Sequence, residues 1–230
     1  MRWRTVLGPV AAAVLVTGCP GDTGSKEPAP RALSPSSSAS PSPSPSTTPT
    51  PLETPTVSES LTVREQAALN EKLRDAAWAN DVALARELIQ QGADVNAKDE
   101  TEQSAYLITT SEGYLRLLEL TLRNGAHVNS KDSFNGTGLI RAAERGHADV
   151  VGRLVRAGIA LDHVNELGWT ALHEAVILGD GGPDHQAVVR ILLQAGADPS
   201  IPDNDGVTAL EHAEAKGQDE VARIIRRVGS

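Results

Sequence analysis

From residue 61 onward the polar and apolar positions follow a rhythm of two short helices and a turn. In Thr170-Ala171-Leu172-His173-Glu174-Ala175, Leu172 and Ala175 stand three apart and so share a helical face, with Thr170 placed to cap that helix. Gly179 ends it. Val188-Val189-Arg190-Ile191-Leu192-Leu193 predicts a second helix, which Gly196 stops in the left-handed conformation. The phrase then returns at a fixed distance. Gly92, Gly125, Gly158, Gly196 and Gly229 are separated by 33, 33, 38 and 33 residues. Ser104, Thr137, Thr170 and Thr208 keep the steps of 33, 33 and 38, as do Asp99, Asp132, Asn165 and Asp203, whose period explains them as turn formers. Three independent positions that share one period and one five-residue insertion define a repeat array.

Upstream of residue 61 the pattern changes. Met1-Arg2-Trp3-Arg4 precedes an apolar run from Val6 to Val16, which as a helix rises about 16 Å, roughly half of what a bilayer needs. Positive charge followed by a short apolar stretch reads as an export signal. The run ends in Val16-Thr17-Gly18-Cys19. This resembles the lipobox of bacterial lipoproteins, in which an aliphatic residue, a small residue and Gly or Ala precede the cysteine that is lipidated. The resemblance implies cleavage of 1–18, a diacylglycerol thioether on Cys19 and acylation of its new amine, for instance by palmitate. Two or three acyl chains anchor firmly where one would be marginal.

Residues 19–60 then form a linker. From Pro20 to Ser60 the chain is Ser, Pro, Thr and Ala with almost nothing to bury, so ordering it would cost more than burial returns. Its 41 residues would span about 35 Å as a coil and up to about 125 Å as polyproline II. Both exceed the screening length of about 8 Å at physiological salt. The full chain carries a formal charge of −9, with 21 Lys and Arg against 30 Asp and Glu. That balance argues against nucleic acid as a partner. It also describes an acidic domain held clear of an anionic lipid surface. The one cysteine excludes an intrachain disulfide.

The repeats resemble the ankyrin family, whose unit runs Asp-x-x-Gly-x-Thr-Pro-Leu-His-x-Ala and ends Leu-Leu-x-x-Gly-Ala-Asp-Val-Asn. The matches include Gly92-Ala-Asp-Val-Asn96, Gly125-Ala-His-Val-Asn129, Thr170-Ala-Leu-His173 and Gly196-Ala-Asp198. The resemblance implies an all-α solenoid, 61–230, of five helix pairs joined by β-hairpin-like loops, divided at about 61–98, 99–131, 132–164, 165–202 and 203–230. Departures are plain: Ala105, Gly138, Ala171 and Ala209 stand where the family has proline. The second repeat, with β-branched residues in Ser104-Ala-Tyr106-Leu-Ile-Thr-Thr110, is expected to be the least regular pair. Thr62-Val-Arg-Glu65 predicts a capping box at the first helix. Asp180–His185, the insertion, is expected as an irregular loop.

Chemistry is hard to find in this pattern. No two histidines stand at zinc-site spacing, and there is no HExxH, Walker loop or Gly-x-Ser-x-Gly. The expectation is a non-enzymatic monomer without metal or cofactor. The ankyrin resemblance implies that hairpin tips and first helices form a concave protein-binding groove. Trp78, Phe134, Leu167, Trp169, Ile177 and Leu178 map onto it, and apolar side chains among polar ones at solvent-facing positions suit a binding hot spot. The same side chains could instead pack on neighbouring hairpins. The expected function is therefore a membrane-anchored, extracytoplasmic binding or scaffolding module that recruits, protects or inhibits an exported enzyme. It would sit on the outer face of the cytoplasmic membrane, or on the periplasmic side of an envelope membrane. A small-ligand or hydrolytic lipoprotein using the groove as a pocket is the alternative.

Overall fold

Side-chain caps from Thr62, Ser104, Thr170 and Thr208 open the first helix in four of the five repeats; Thr137, in the third, makes no such bond. Thr62 accepts a hydrogen bond from the Glu65 amide, and the Glu65 carboxylate accepts from the Thr62 amide at 2.9 Å, so α1 (Val63–Trp78) opens with both halves of the box. The computed structural model describes residues 61–228; the signal, the linker and Cys19 lie outside them. Ten helices follow one another: α1, α2 (Val82–Gln90), α3 (Ala105–Ser111), α4 (Leu115–Arg123), α5 (Gly138–Glu144), α6 (Ala148–Arg156), α7 (Ala171–Ile177), α8 (Pro183–Gln194), α9 (Ala209–Ala215) and α10 (Asp219–Val228). The odd-numbered helices pack on one another in sequence, and the even-numbered ones do the same, giving two layers. Among the described residues no strand forms, and the joints carry only isolated bridges, Lys131 to Thr137 and Pro202 to Thr208.

Small residues let the layers close. Ala142, Ala143, Ala175 and Ala213 are fully buried in a core that continues through Leu139, Val151, Leu172, Val189 and Ile225. Gly138 shows why no larger residue stands there: a Cβ would lie 2.8 Å from the Thr110 methyl on α3. Successive repeats are also tied by one recurring bond. Asn96, Asn129 and Asp162 each accept, through Oδ1, the backbone N–H of His127, Ala160 and Asp198 in the following repeat at 2.7–3.0 Å, and Asn70 accepts that of Asp94 within the first repeat at 2.8 Å.

Two expectations are corrected. The second repeat is as regular as its neighbours, since α3 matches α5 in length and α4 matches α6. Thr109, Thr110 and Thr121 donate their hydroxyls to the carbonyl three residues earlier, so β-branching there is absorbed by the helix. The insertion is only partly a loop. Gly181 takes the left-handed conformation (φ 70°), and Pro183 then begins α8 at its first position, adding a turn to that helix. His185, inside the added turn, bonds the carbonyl of Glu144 on the preceding repeat at 3.1 Å. His147 bonds Ser111 in the same manner one repeat earlier. The five extra residues therefore preserve the tie between repeats.

Candidate functional site

Each 14-residue joint between helix pairs (91–104, 124–137, 157–170 and 195–208) is built on one short polar side chain. Asp132 Oδ1 accepts from the amides of Phe134 and Gly136 at 2.9 and 2.8 Å. Asn165 does the same for Leu167 and Trp169, and Asp203 for Asp205 and Val207. Asp99 holds Thr101 and Gln103. The turn role expected from their period is thus seen in the bonds they accept.

The other end of each side chain reaches forward nine residues to the first helix of its own repeat. Asp132 pairs with Arg141 at 2.6 Å, Asn165 donates to Glu174 at 2.8 Å, and Asp203 bonds His212 at 2.7 Å. In the second repeat the ninth residue is Ile108, and Arg74 approaches Asp99 from the first repeat instead, at 3.9 Å. Carboxylate meets guanidinium or imidazole, and where the helix offers a carboxyl the turn offers an amide. His212 and the backbone amides hold the Asp203 carboxyl down at about 2. Glu174 is the opposite case. It is 3 % exposed, its Oε2 has no hydrogen-bond partner, and burial, aided by the nearby Glu144 carboxylate, pushes it up to about 7. Glu174 did not stand out in the sequence; its nine-residue spacing from Asn165 was the available signal.

These turns present the apolar side chains. Phe134 is 58 % exposed and Leu167 54 %. Their hairpins are stitched together: the Glu166 amide donates to the Phe134 carbonyl at 3.2 Å, Asn135 Nδ2 donates to the Val164 carbonyl, and His163 Nε2 bonds the Asn135 carbonyl at 2.7 Å. The Arg141 guanidinium sits 5.5 Å from the Phe134 ring centre. Trp169 is half-buried beside Leu167. Ile177, half-buried, and Leu178, exposed, lie at the far end of α7, about 12 Å from Trp169 along the helix. Trp78 is exposed at the first-repeat end of the groove. It borders a cleft of about 240 Å³ with Leu107, Arg141 and Arg145, and another of about 780 Å³ with Arg64, Glu71 and Glu100. Of the six expected residues, Phe134, Leu167 and Trp169 therefore sit on the adjacent hairpins 124–137 and 157–170, and Trp78, Ile177 and Leu178 lie away from them. Among the described residues no three His, Cys, Asp or Glu side chains are grouped to hold a metal ion.

The family model described as ankyrin repeats (3 copies) matches residues 106–203, and the single ankyrin repeat matches 73–100. The chain is 38 % identical over 149 residues to the ankyrin repeat protein YahD of Escherichia coli K12, covering 64 % of this chain and 74 % of that one. It is 34 % identical over 87 residues to protein phosphatase 1 regulatory subunit 27 of Mus musculus, covering 37 % of this chain and 53 % of that one. A crystal structure of an ankyrin repeat domain from Acinetobacter baumannii AYE superposes with a TM-score of 0.67 at 47 % identity, over 68 % of this chain and 80 % of that one.

Proposed function

The chain belongs to the ankyrin-repeat family, whose repeats mediate protein–protein interaction, and from that premise we propose that it is a non-catalytic binding module anchored outside the cytoplasmic membrane through Cys19. The carrying observation is the exposure of Phe134 and Leu167 on two hairpins whose shape is set by backbone and Asx hydrogen bonds. Side chains that do not hold the fold together yet stay apolar in water are suited to a partner. The role best matched is recruitment, protection or inhibition of an exported enzyme. One relative is by name a regulatory subunit of a phosphatase, which supports a role exerted through another protein. The lipobox and the Ser/Pro/Thr linker support the anchor and the reach.

Alanine at both Phe134 and Leu167 tests the surface. Stability should change by about 0.5 kcal/mol or less per site, as for exposed positions, while recovery of a protein partner from membrane extracts is lost. A large fall in melting temperature would instead make these side chains part of the packing. Alkyne-palmitate labelling of the wild type that disappears in Cys19→Ala tests the anchor; equal labelling of both would remove it.

A further inference from the structure

The charge of the array is sided. The four joints carry ten Asp and Glu against two Lys, whereas the five even-numbered helices carry nine Arg against six Asp and Glu. The acidity of the chain thus lies on the hairpin side, and the opposite face is mildly cationic. Two helix layers are about 20 Å thick, well beyond the screening length of about 8 Å at physiological salt. A partner therefore responds to the face it touches, and the net charge of the whole chain is a poor guide to it.

Within the acidic side some charges are already answered. Asp132 has Arg141 and Glu102 has Lys98 at 2.7 Å, and Asp203 is held by a hydrogen bond to the His212 imidazole. Among the described residues no cation pairs with Glu100, Glu166 or Asp205, all exposed near the hairpin tips. Glu166 is next to Leu167 in the chain, and its amide bonds the Phe134 carbonyl, so the apolar pair has an unanswered carboxylate at its edge. Asp205 stands at the corresponding tip of the next repeat.

We infer that the partner segment fitting this ridge is Lys- or Arg-rich with one large aliphatic or aromatic side chain, its cations set against Glu166 and Asp205 and its apolar group on Phe134 and Leu167. The inference rests on the reading of the hairpin side as the protein-binding surface. An acidic segment is repelled there, and a neutral one leaves carboxylates desolvated at the contact without a counter-charge. The carboxylates govern encounter and partner choice; the apolar pair governs residence.

A display library of random 12-residue peptides, selected on the full-length protein, tests this. Enriched peptides should be net positive and carry at least one aliphatic or aromatic residue. Synthesised individually, they should bind about 10-fold more weakly to the Phe134→Ala/Leu167→Ala protein. They should also weaken several-fold from 50 to 200 mM salt and in Glu166→Lys. Glu87→Lys, an equal charge change on α2 at the opposite face, should leave binding unchanged. Peptides that depend on Phe134 and Leu167 but are neutral or acidic overturn the inference and leave the surface reading standing. Equal losses in Glu87→Lys and Glu166→Lys reduce the effect to net charge and also overturn it. If enriched peptides ignore the Phe134/Leu167 substitutions, or none is enriched, the surface reading fails as well.

Discussion

Glu174 is a carboxyl group placed where a carboxylate is expensive. Its Oε1 is held by Asn165, its Oε2 has no hydrogen-bond partner, and the cation that acts on it, Arg141, already serves Asp132 and Glu144. The folded protein therefore binds a proton at Glu174 that the unfolded chain releases at about 4.5, and folded release is delayed to about 7. Stability from this group is complete below about 4.5 and is lost as pH rises through 7, an effect of about 3 kcal/mol at most. Glu174→Gln should flatten that slope, raising the urea midpoint at pH 8 and changing it little at pH 5; parallel curves for both proteins would contradict the assignment. Asp203 works in the other direction, since its depressed pKa stabilises above about 4 and that contribution fades toward pH 2. The turn-forming role of Asp99, Asp132, Asn165 and Asp203 was legible from their period, because a turn is local. The burial of Glu174 was not, since it depends on the repeats stacked on either side.

At the scale of the hairpin and its helix, the pairing at nine-residue spacing behaves as an exchangeable part. The third repeat uses Asp132 with Arg141, and the fourth uses Asn165 with Glu174. Converting the fourth to the pattern of the third gives a direct test. Asn165→Asp alone sets two carboxyls against each other and removes the donated N–H, so it should cost about 2–3 kcal/mol at pH 8. Adding Glu174→Arg should recover most of that loss. If the double variant is no more stable than Asn165→Asp, the two positions do not act as a pair. The capping box at Thr62 and Glu65 was readable because both halves lie within four residues. The fate of the insertion was not readable in the same way. Asp180–His185 looked like loop by composition, yet Pro183 starts α8 and His185 reaches Glu144 across the repeat boundary. Only the tertiary partner reveals which of the two roles its residues take.

Over the whole array, each repeat packs only on its neighbours, so protection should fall toward the ends and not follow local propensity. Native-state amide exchange is expected to be slowest in α5 to α8 and faster in α1, α2, α9 and α10, with α3 and α4 protected beyond the terminal pairs. Weaker protection of the second repeat than of either end would mean that its β-branched first helix is costly after all. The fold was legible in the sequence because repetition states the same pattern five times. The sidedness of its charge was not, because Arg86 and Arg156 are scattered along the chain and gather on one face only when the even-numbered helices stack. The proposed surface places partners on the hairpin side at the third and fourth repeats. Photo-cross-linking in cells tests it most directly, with p-benzoylphenylalanine at position 167 in one protein and at position 116, on the outer helix α4, in another. A discrete protein adduct from position 167 and none from 116 is predicted; adducts from 116 alone would contradict it.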